Sequence, residues 1–191
     1  MSGWLHVIAG PMFSGKTDLL IRKIKRYDLI GKSSYIFRPD VDQRTKDLVS
    51  RSGLSYSAGM RVGDHEDIRE IVNDTDPAAC EIIAVDEAQF FGPGLISVLN
   101  GFANQGYIVY AAGLDRDFLT RPFGPMPGLL VSADEVTKLT AICAICRGEA
   151  SLTQRLFNGK PASADSSLVV IGGINDEIYQ ARCRDHWEEG E

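Results

Sequence analysis

Gly10-Pro11-Met12-Phe13-Ser14-Gly15-Lys16-Thr17 fills the template G-x-x-x-x-G-K-[ST] at every fixed position. A loop of this kind turns successive backbone N–H groups inward around a phosphate chain. Its lysine reaches the β- and γ-phosphates, and its last hydroxyl sits on Mg²⁺. Lys16 and Thr17 stand at those two positions. The flanks agree. Leu5-His6-Val7-Ile8-Ala9 is a short, mostly apolar run and reads as a buried strand. From Thr17 to Leu29, apolar residues recur at Leu20, Ile21, Ile24 and Tyr27, which is helical spacing. Strand, glycine loop and helix together aim a helix N-terminus at an anion.

Further along, Ile82-Ile83-Ala84-Val85 reads as a strand covered on both faces, and Asp86-Glu87 follows it directly. In phosphate-loop proteins an acid at the end of such a strand helps hold Mg²⁺, and Asp86 fits that role. Glu87 then has two readings. It could accept the proton of an attacking hydroxyl or water, or it could be a solvated acid at a strand end. Arg44, in the polar stretch after the second strand, is a candidate for neutralising phosphate charge.

The remaining pattern alternates strand and helix. Ser33–Phe37 and Tyr107–Ala112 read as strands, Asp64–Asn73 and Gly94–Gln105 as helices. This alternation predicts an α/β fold on a parallel sheet. Val41–Gly63 is expected to be a long surface loop or short hairpin. Arg121–Gly128 carries three prolines and is expected to be irregular, with a last short helix over Leu129–Val136. A boundary near Lys138 divides the chain into a nucleotide-binding domain, residues 1–138, and a smaller module, residues 139–191.

That module contains Cys143-Ala144-Ile145-Cys146 and Cys183-Arg184-Asp185-His186. Each pair can present two ligands to one ion, and together they make a Cys₃His set suited to a closed tetrahedral Zn²⁺ site. The gap between the pairs, residues 147–182, is longer than in a usual zinc ribbon and has room for a hairpin and a loop. Four protein ligands leave no open position, so the expected zinc is structural. Cys80 stands apart and reads as structural, His6 as a packed core residue, and His65 as a solvated loop residue.

Composition sets limits. A chain of 191 residues buries one core with room for a small appended module. The formal net charge of −6 argues against non-specific binding to a DNA or RNA backbone, which needs cationic surface. No apolar run approaches a membrane span. Met1-Ser2-Gly3-Trp4 lacks the basic region of a secretory signal, so a cytoplasmic location is expected.

Taken together, these segments resemble the type II (cytosolic-type) thymidine kinase family. Gly10–Thr17 matches that family's own form of the loop, and Asp86-Glu87-Ala88-Gln89-Phe90-Phe91 matches its D-E-[AG]-Q-F segment. Gly113-Leu114-Asp115, Phe118 and Pro122-Phe123-Gly124 match its G-L-D-x-x-F-x-x-x-P-F-G segment. The resemblance implies a RecA-like domain with a zinc-tied lasso, assembled as a homotetramer. It implies transfer of the ATP γ-phosphate to the 5′-hydroxyl of thymidine or deoxyuridine, with Glu87 as general base and dTTP as feedback inhibitor. It also implies a nucleoside pocket lined by Met12, Phe90, Leu114, Phe118, Thr153 and Tyr179. Lasso backbone from Val170 to Gly173, including Gly172, would read the pyrimidine edge. The chain departs from the family pattern at Asp18-Leu19 and in a longer stretch from Gly172 to Tyr179. A zinc-ribbon ATPase acting on nucleic acid and an inactive nucleotide-binding regulator are the competing readings.

Overall fold

The computed structural model describes residues 3–41, 48–50, 52–56, 59–74, 81–166 and 177–190. In chain order the main elements begin with β1 (Trp4–Ala9), α1 (Lys16–Asp28) and β2 (Ser34–Pro39). A small hairpin follows, β3 (Leu48–Val49) with β4 (Ser55–Tyr56), and then β5 (Gly59–Val62) and α2 (His65–Asn73). Next come β6 (Ile82–Val85), a 3₁₀ turn (Ala88–Phe90), α3 (Leu95–Asn104), β7 (Ile108–Gly113), α4 (Met126–Ser132) and β8 (Glu135–Lys138). The C-terminal part carries β9 (Ala141–Ile142), β10 (Glu149–Ala150), β11 (Leu152–Phe157), β12 (Lys160–Pro161) and β13 (Glu177–Arg182).

Six strands form one parallel sheet in the order β5-β2-β6-β7-β1-β8. Period-two alternation sends successive residues of β1 to opposite faces. Leu5, Val7 and Ala9 join Phe37, Ile83, Val85, Val109 and Ala111 on the face that packs against α3 and α4. Ile8 joins Ile36, Ala84, Tyr110 and Ala112 on the face covered by Leu20, Ile21 and Ile24 of α1. Both faces are therefore buried, which explains why β6 reads as an unbroken apolar run. Because all six strands are parallel, their C-terminal ends share one edge, where open α/β sheets bind ligands.

Three local expectations need correction. The last helix starts at Met126, not Leu129, because Pro127 sits in its first turn, where a missing N–H costs nothing. It stops at Ser132, and Glu135–Lys138 is an edge strand beside β1. Asp134 fixes that turn: its backbone N–H donates to the Leu5 carbonyl and its carboxylate accepts the Leu5 N–H at 2.8 Å. The stretch after β2 contains, besides the hairpin, a sixth sheet strand, Gly59–Val62. His65 is the first residue of α2, not a loop residue. Its ring packs so closely on Gly94 that a Cβ there would lie 2.0 Å from Nε2.

His6 is buried, as expected of a core residue, and its Nε2 pairs with Thr137 Oγ1 at 2.8 Å. Asp64 caps α2 in a reciprocal capping box with Asp67. Cys80 lies outside the described residues. The six-stranded sheet ends at Lys138. Beyond it, β9–β10 and β12-β11-β13 form two small antiparallel sheets.

Candidate active site

The phosphate loop leaves β1 at its C-terminal end. Gly10 is squeezed against the end of β8: a Cβ at that position would lie 2.5 Å from the Leu139 carbonyl oxygen. Gly15 (φ 80°) takes the left-handed conformation that glycine adopts without steric cost. Phe13 takes it too, at φ 68°, and is half exposed. A non-glycine residue held there stores strain, as is common in ligand-binding turns. Ser14 Oγ donates to the Pro11 carbonyl at 2.8 Å, and Lys16 Nζ donates to the same oxygen at 2.7 Å. The ammonium is thus held over the loop.

Thr17 Oγ1 donates to Asp86 at 3.1 Å, joining the first turn of α1 to the end of β6. Asp86 is buried, and its backbone N–H donates to the Phe37 carbonyl. Burial pushes its carboxyl up, and the neighbouring Glu87 charge adds to that. The pKa is raised to about 7 despite the Thr17 hydroxyl, the Glu87 N–H and Lys16. A hydroxyl and a carboxylate are hard oxygen donors of the kind Mg²⁺ takes, and a divalent ion there would favour the charged carboxylate.

Glu87 follows in the left-handed region, φ 52°, which turns the chain sharply out of β6 into the 3₁₀ turn. Its carboxylate accepts from Gln89 Nε2 at 2.6 Å. Gln89 is buried, and its Oε1 accepts the Leu114 N–H at 2.9 Å. This amide ties Glu87 to the loop after β7. That loop is shaped by Asp117, whose carboxylate accepts the N–H groups of Leu119 and Arg121. Asp115, also buried, pairs with Lys138 at 2.8 Å.

The expected nucleoside-pocket residues come from five parts of the chain: the phosphate loop, the 3₁₀ turn, the loop after β7, β11 and β13. Thr153 lies on β11, is buried, and its hydroxyl accepts the Met12 N–H at 3.0 Å. Two strand positions on, the Arg155 guanidinium carbon lies 5.1 Å from the centre of the Phe118 ring, and Arg155 pairs with Tyr179 across β11 and β13. Trp187 Nε1 donates to the Phe118 carbonyl at 3.2 Å. Phe90 meets Phe123 edge-on, with ring centres 5.6 Å apart. Arg44, Val170, Gly172 and Gly173 lie outside the described residues.

Gln89, Arg155 and Trp187 have no assigned role in the sequence reading. Gln89 had a signal, since it sits inside the D-E-A-Q-F segment. Arg155 and Trp187 had none, because their partners are distant in sequence. Asp18 does not simply face the loop: its carboxylate accepts from Ser52 Oγ, tying α1 to the β3–β4 hairpin.

The C-terminal cluster is compact. One ligand atom from each of Cys143, Cys146, Cys183 and His186 can be chosen so that all four lie within 4.8 Å of one another. Cys146 and Cys183 sulfurs are 3.8 Å apart, and Cys183 Sγ lies 3.0 Å from His186 Nδ1. Thiolates bound at 2.3 Å around a tetrahedral zinc ion are about 3.8 Å apart, so the donor set fits Zn²⁺. The cysteines are not paired as disulfides. Burial pushes the Cys143 thiol up, but hydrogen bonds around the Cys143–Cys146 knuckle and from Cys183 outweigh it and bring it to about 6. Burial raises the Cys183 thiol, and contacts with Cys146 and Cys143 add to that. Clustered thiols resist charging together until an ion bridges them.

A parallel sheet with a phosphate loop after its first strand and an acid pair on the same edge defines a phosphate-loop nucleotide-binding protein. The family model for thymidine kinase matches residues 3–187, nearly the whole chain, and the chain belongs to the thymidine kinase family. Its activity is that of the family, a transferase that uses ATP to phosphorylate thymidine.

Proposed function

We propose that the chain transfers the γ-phosphate of ATP to the 5′-hydroxyl of thymidine or deoxyuridine, with Glu87 as the general base. The observation that carries this is the joining of Thr17 to Asp86, with Glu87 adjacent and fixed by Gln89. Phosphoryl transfer asks mainly for positioning and charge neutralisation. Lys16 and the N–H groups of the Gly10–Thr17 loop hold the ATP phosphates, apart from Met12, whose N–H donates to Thr153. Thr17 and Asp86 hold Mg²⁺, which when bound neutralises phosphate charge. Glu87 accepts the proton of the 5′-hydroxyl as that oxygen attacks phosphorus. Arg44 adds positive charge beside the phosphates.

Met12, Phe90, Leu114, Phe118, Thr153 and Tyr179 line the nucleoside pocket, and lasso backbone at Val170, Gly172 and Gly173 reads the base edge. The contacts from Arg155 and Trp187 to Phe118 support this, since they join the C-terminal module to the loop after β7. Residues 1–138 then act as the ATP-binding domain and 139–191 as the zinc-tied cover. Family membership supports a cytoplasmic homotetramer inhibited by dTTP. Among the described residues no helix is long and apolar enough to cross a membrane.

The test is to incubate purified protein with Mg²⁺, ATP and one nucleoside at a time, and to identify products by mass. Thymidine and deoxyuridine should yield 5′-monophosphates, and cytidine and purine nucleosides little. Phosphorylation of purines at a comparable rate would overturn the pocket assignment.

A further inference from the structure

Gln89 is a buried polar side chain beside the acid pair, and the transfer chemistry gives it neither a proton nor a phosphate to handle. Its side chain bridges two pieces of the site. Nε2 donates to Glu87 at 2.6 Å and Oε1 accepts from the Leu114 N–H at 2.9 Å. The orientation of the amide is unambiguous, because a carboxylate only accepts and a backbone N–H only donates. One glycine stands against the Gln89 amide and another against its backbone. At Gly113 a Cβ would lie 2.7 Å from Gln89 Oε1, and at Gly124 it would lie 2.2 Å from the Gln89 carbonyl oxygen. Gly124 also needs its left-handed backbone, φ 51°. The end of β7 is therefore bare beside the Gln89 amide, and the loop before α4 is bare against the Gln89 backbone.

We propose that Gln89 is a positioning residue for phosphoryl transfer, its amide holding the Glu87 carboxylate at a fixed distance from the pocket wall at Leu114. The inference rests on the reading of Glu87 as general base and of Leu114 as pocket wall. Its physical content is geometric. Glu87 sits on a strained turn, and a long carboxylate side chain that loses the Gln89 bond can sample rotamers in which its oxygen misses the 5′-hydroxyl. A misplacement of about 1 Å can cost about 100-fold in rate. Anchoring both ends of one amide makes the base and the pocket move as a unit.

Two substitutions separate the two ends. Gln89→Glu keeps an acceptor for the Leu114 N–H but removes the donor to Glu87. Gln89→Met has similar length and removes both. Steady-state kinetics should show kcat lowered at least about tenfold in both variants, with KM for ATP unchanged. Only Gln89→Met should also raise KM for thymidine severalfold. In a Glu87→Gln background, neither change should lower kcat by more than about twofold, because the base they position is gone. A merely structural role would cost the same factor in both backgrounds, and that result would overturn the proposal. So would parental kcat in both single variants. If Gln89→Met fails to fold, Gln89→Glu, which keeps the Leu114 contact, decides on kcat and on the double variant. Parental turnover in Glu87→Gln alone would instead remove the general-base reading on which the inference stands.

Discussion

His6 shows how a single side chain can be legible in kind while its consequence emerges only from the fold. Burial holds its pKa below the ordinary value of 6.5, partly offset by Glu135, while Lys23 lowers it further. The unfolded chain therefore binds the proton first as pH falls. The stability that neutral His6 contributes is full above about 6.5 and is lost as pH drops through that value toward its lower folded pKa. In the metal-free protein Asp86 runs the other way. Its pKa is raised to about 7, so its contribution is full below about 4 and is lost as pH climbs to about 7. The two overlap, so the comparison needs a variant. His6→Gln keeps a polar partner for Thr137 and cannot titrate. Urea unfolding at pH 7.5 and 5.5 should show the parent's advantage over this variant shrinking at the lower pH. An unchanged difference would mean that His6 is not held neutral by the fold.

At the scale of elements, what was legible followed from local rules. The loop at Gly10–Thr17, the helix after it and the β6 run announced themselves because periodicity and glycine placement act within a few residues. Two sheet strands, β5 and β8, were not legible as such. Both are edge strands of four residues that bury little, only Val62 of β5 and no residue of β8 being fully buried, so neither shows the apolar run that marks β6. In the case of β8 the apolar run Leu129–Val136 mixed the end of a helix with the start of a strand, and only the Asp134–Leu5 contacts separate them. The start of α4 misled for a different reason: proline breaks helix interiors but suits first turns. The same division holds for the site. Lys16, Thr17, Asp86 and the Cys₃His set could be read from spacing. The Gln89 bridge, the Arg155–Phe118 contact and the Trp187 bond needed the third dimension, because each joins residues on different elements.

At the scale of the molecule, contacts among the described residues that join the C-terminal sheets to the edge of the parallel sheet include Met12 with Thr153, and Phe118 with Arg155 and Trp187. His186 of the Cys₃His cluster immediately precedes Trp187, so a zinc ion held there would fix where that indole bonds. Removal of zinc by a chelator should therefore lower the melting temperature and change tryptophan emission, and zinc should restore both. It should also raise KM for thymidine more than KM for ATP, since Phe118 takes two of these contacts and the phosphate loop takes one, at Met12. A protein whose elemental analysis shows no zinc, and whose melting is indifferent to chelation, would contradict the structural-metal reading.

Proton acceptance by Glu87 during transfer to thymidine is tested by comparing the parent with Glu87→Gln at saturating Mg²⁺, ATP and thymidine. Thymidine 5′-monophosphate is identified by mass, and ATP binding is measured alongside. ATP affinity should stay close to that of the parent, and product formation should slow at least about 100-fold, the scale of a lost general base. Product formed by Glu87→Gln at the parental rate would contradict that role of Glu87.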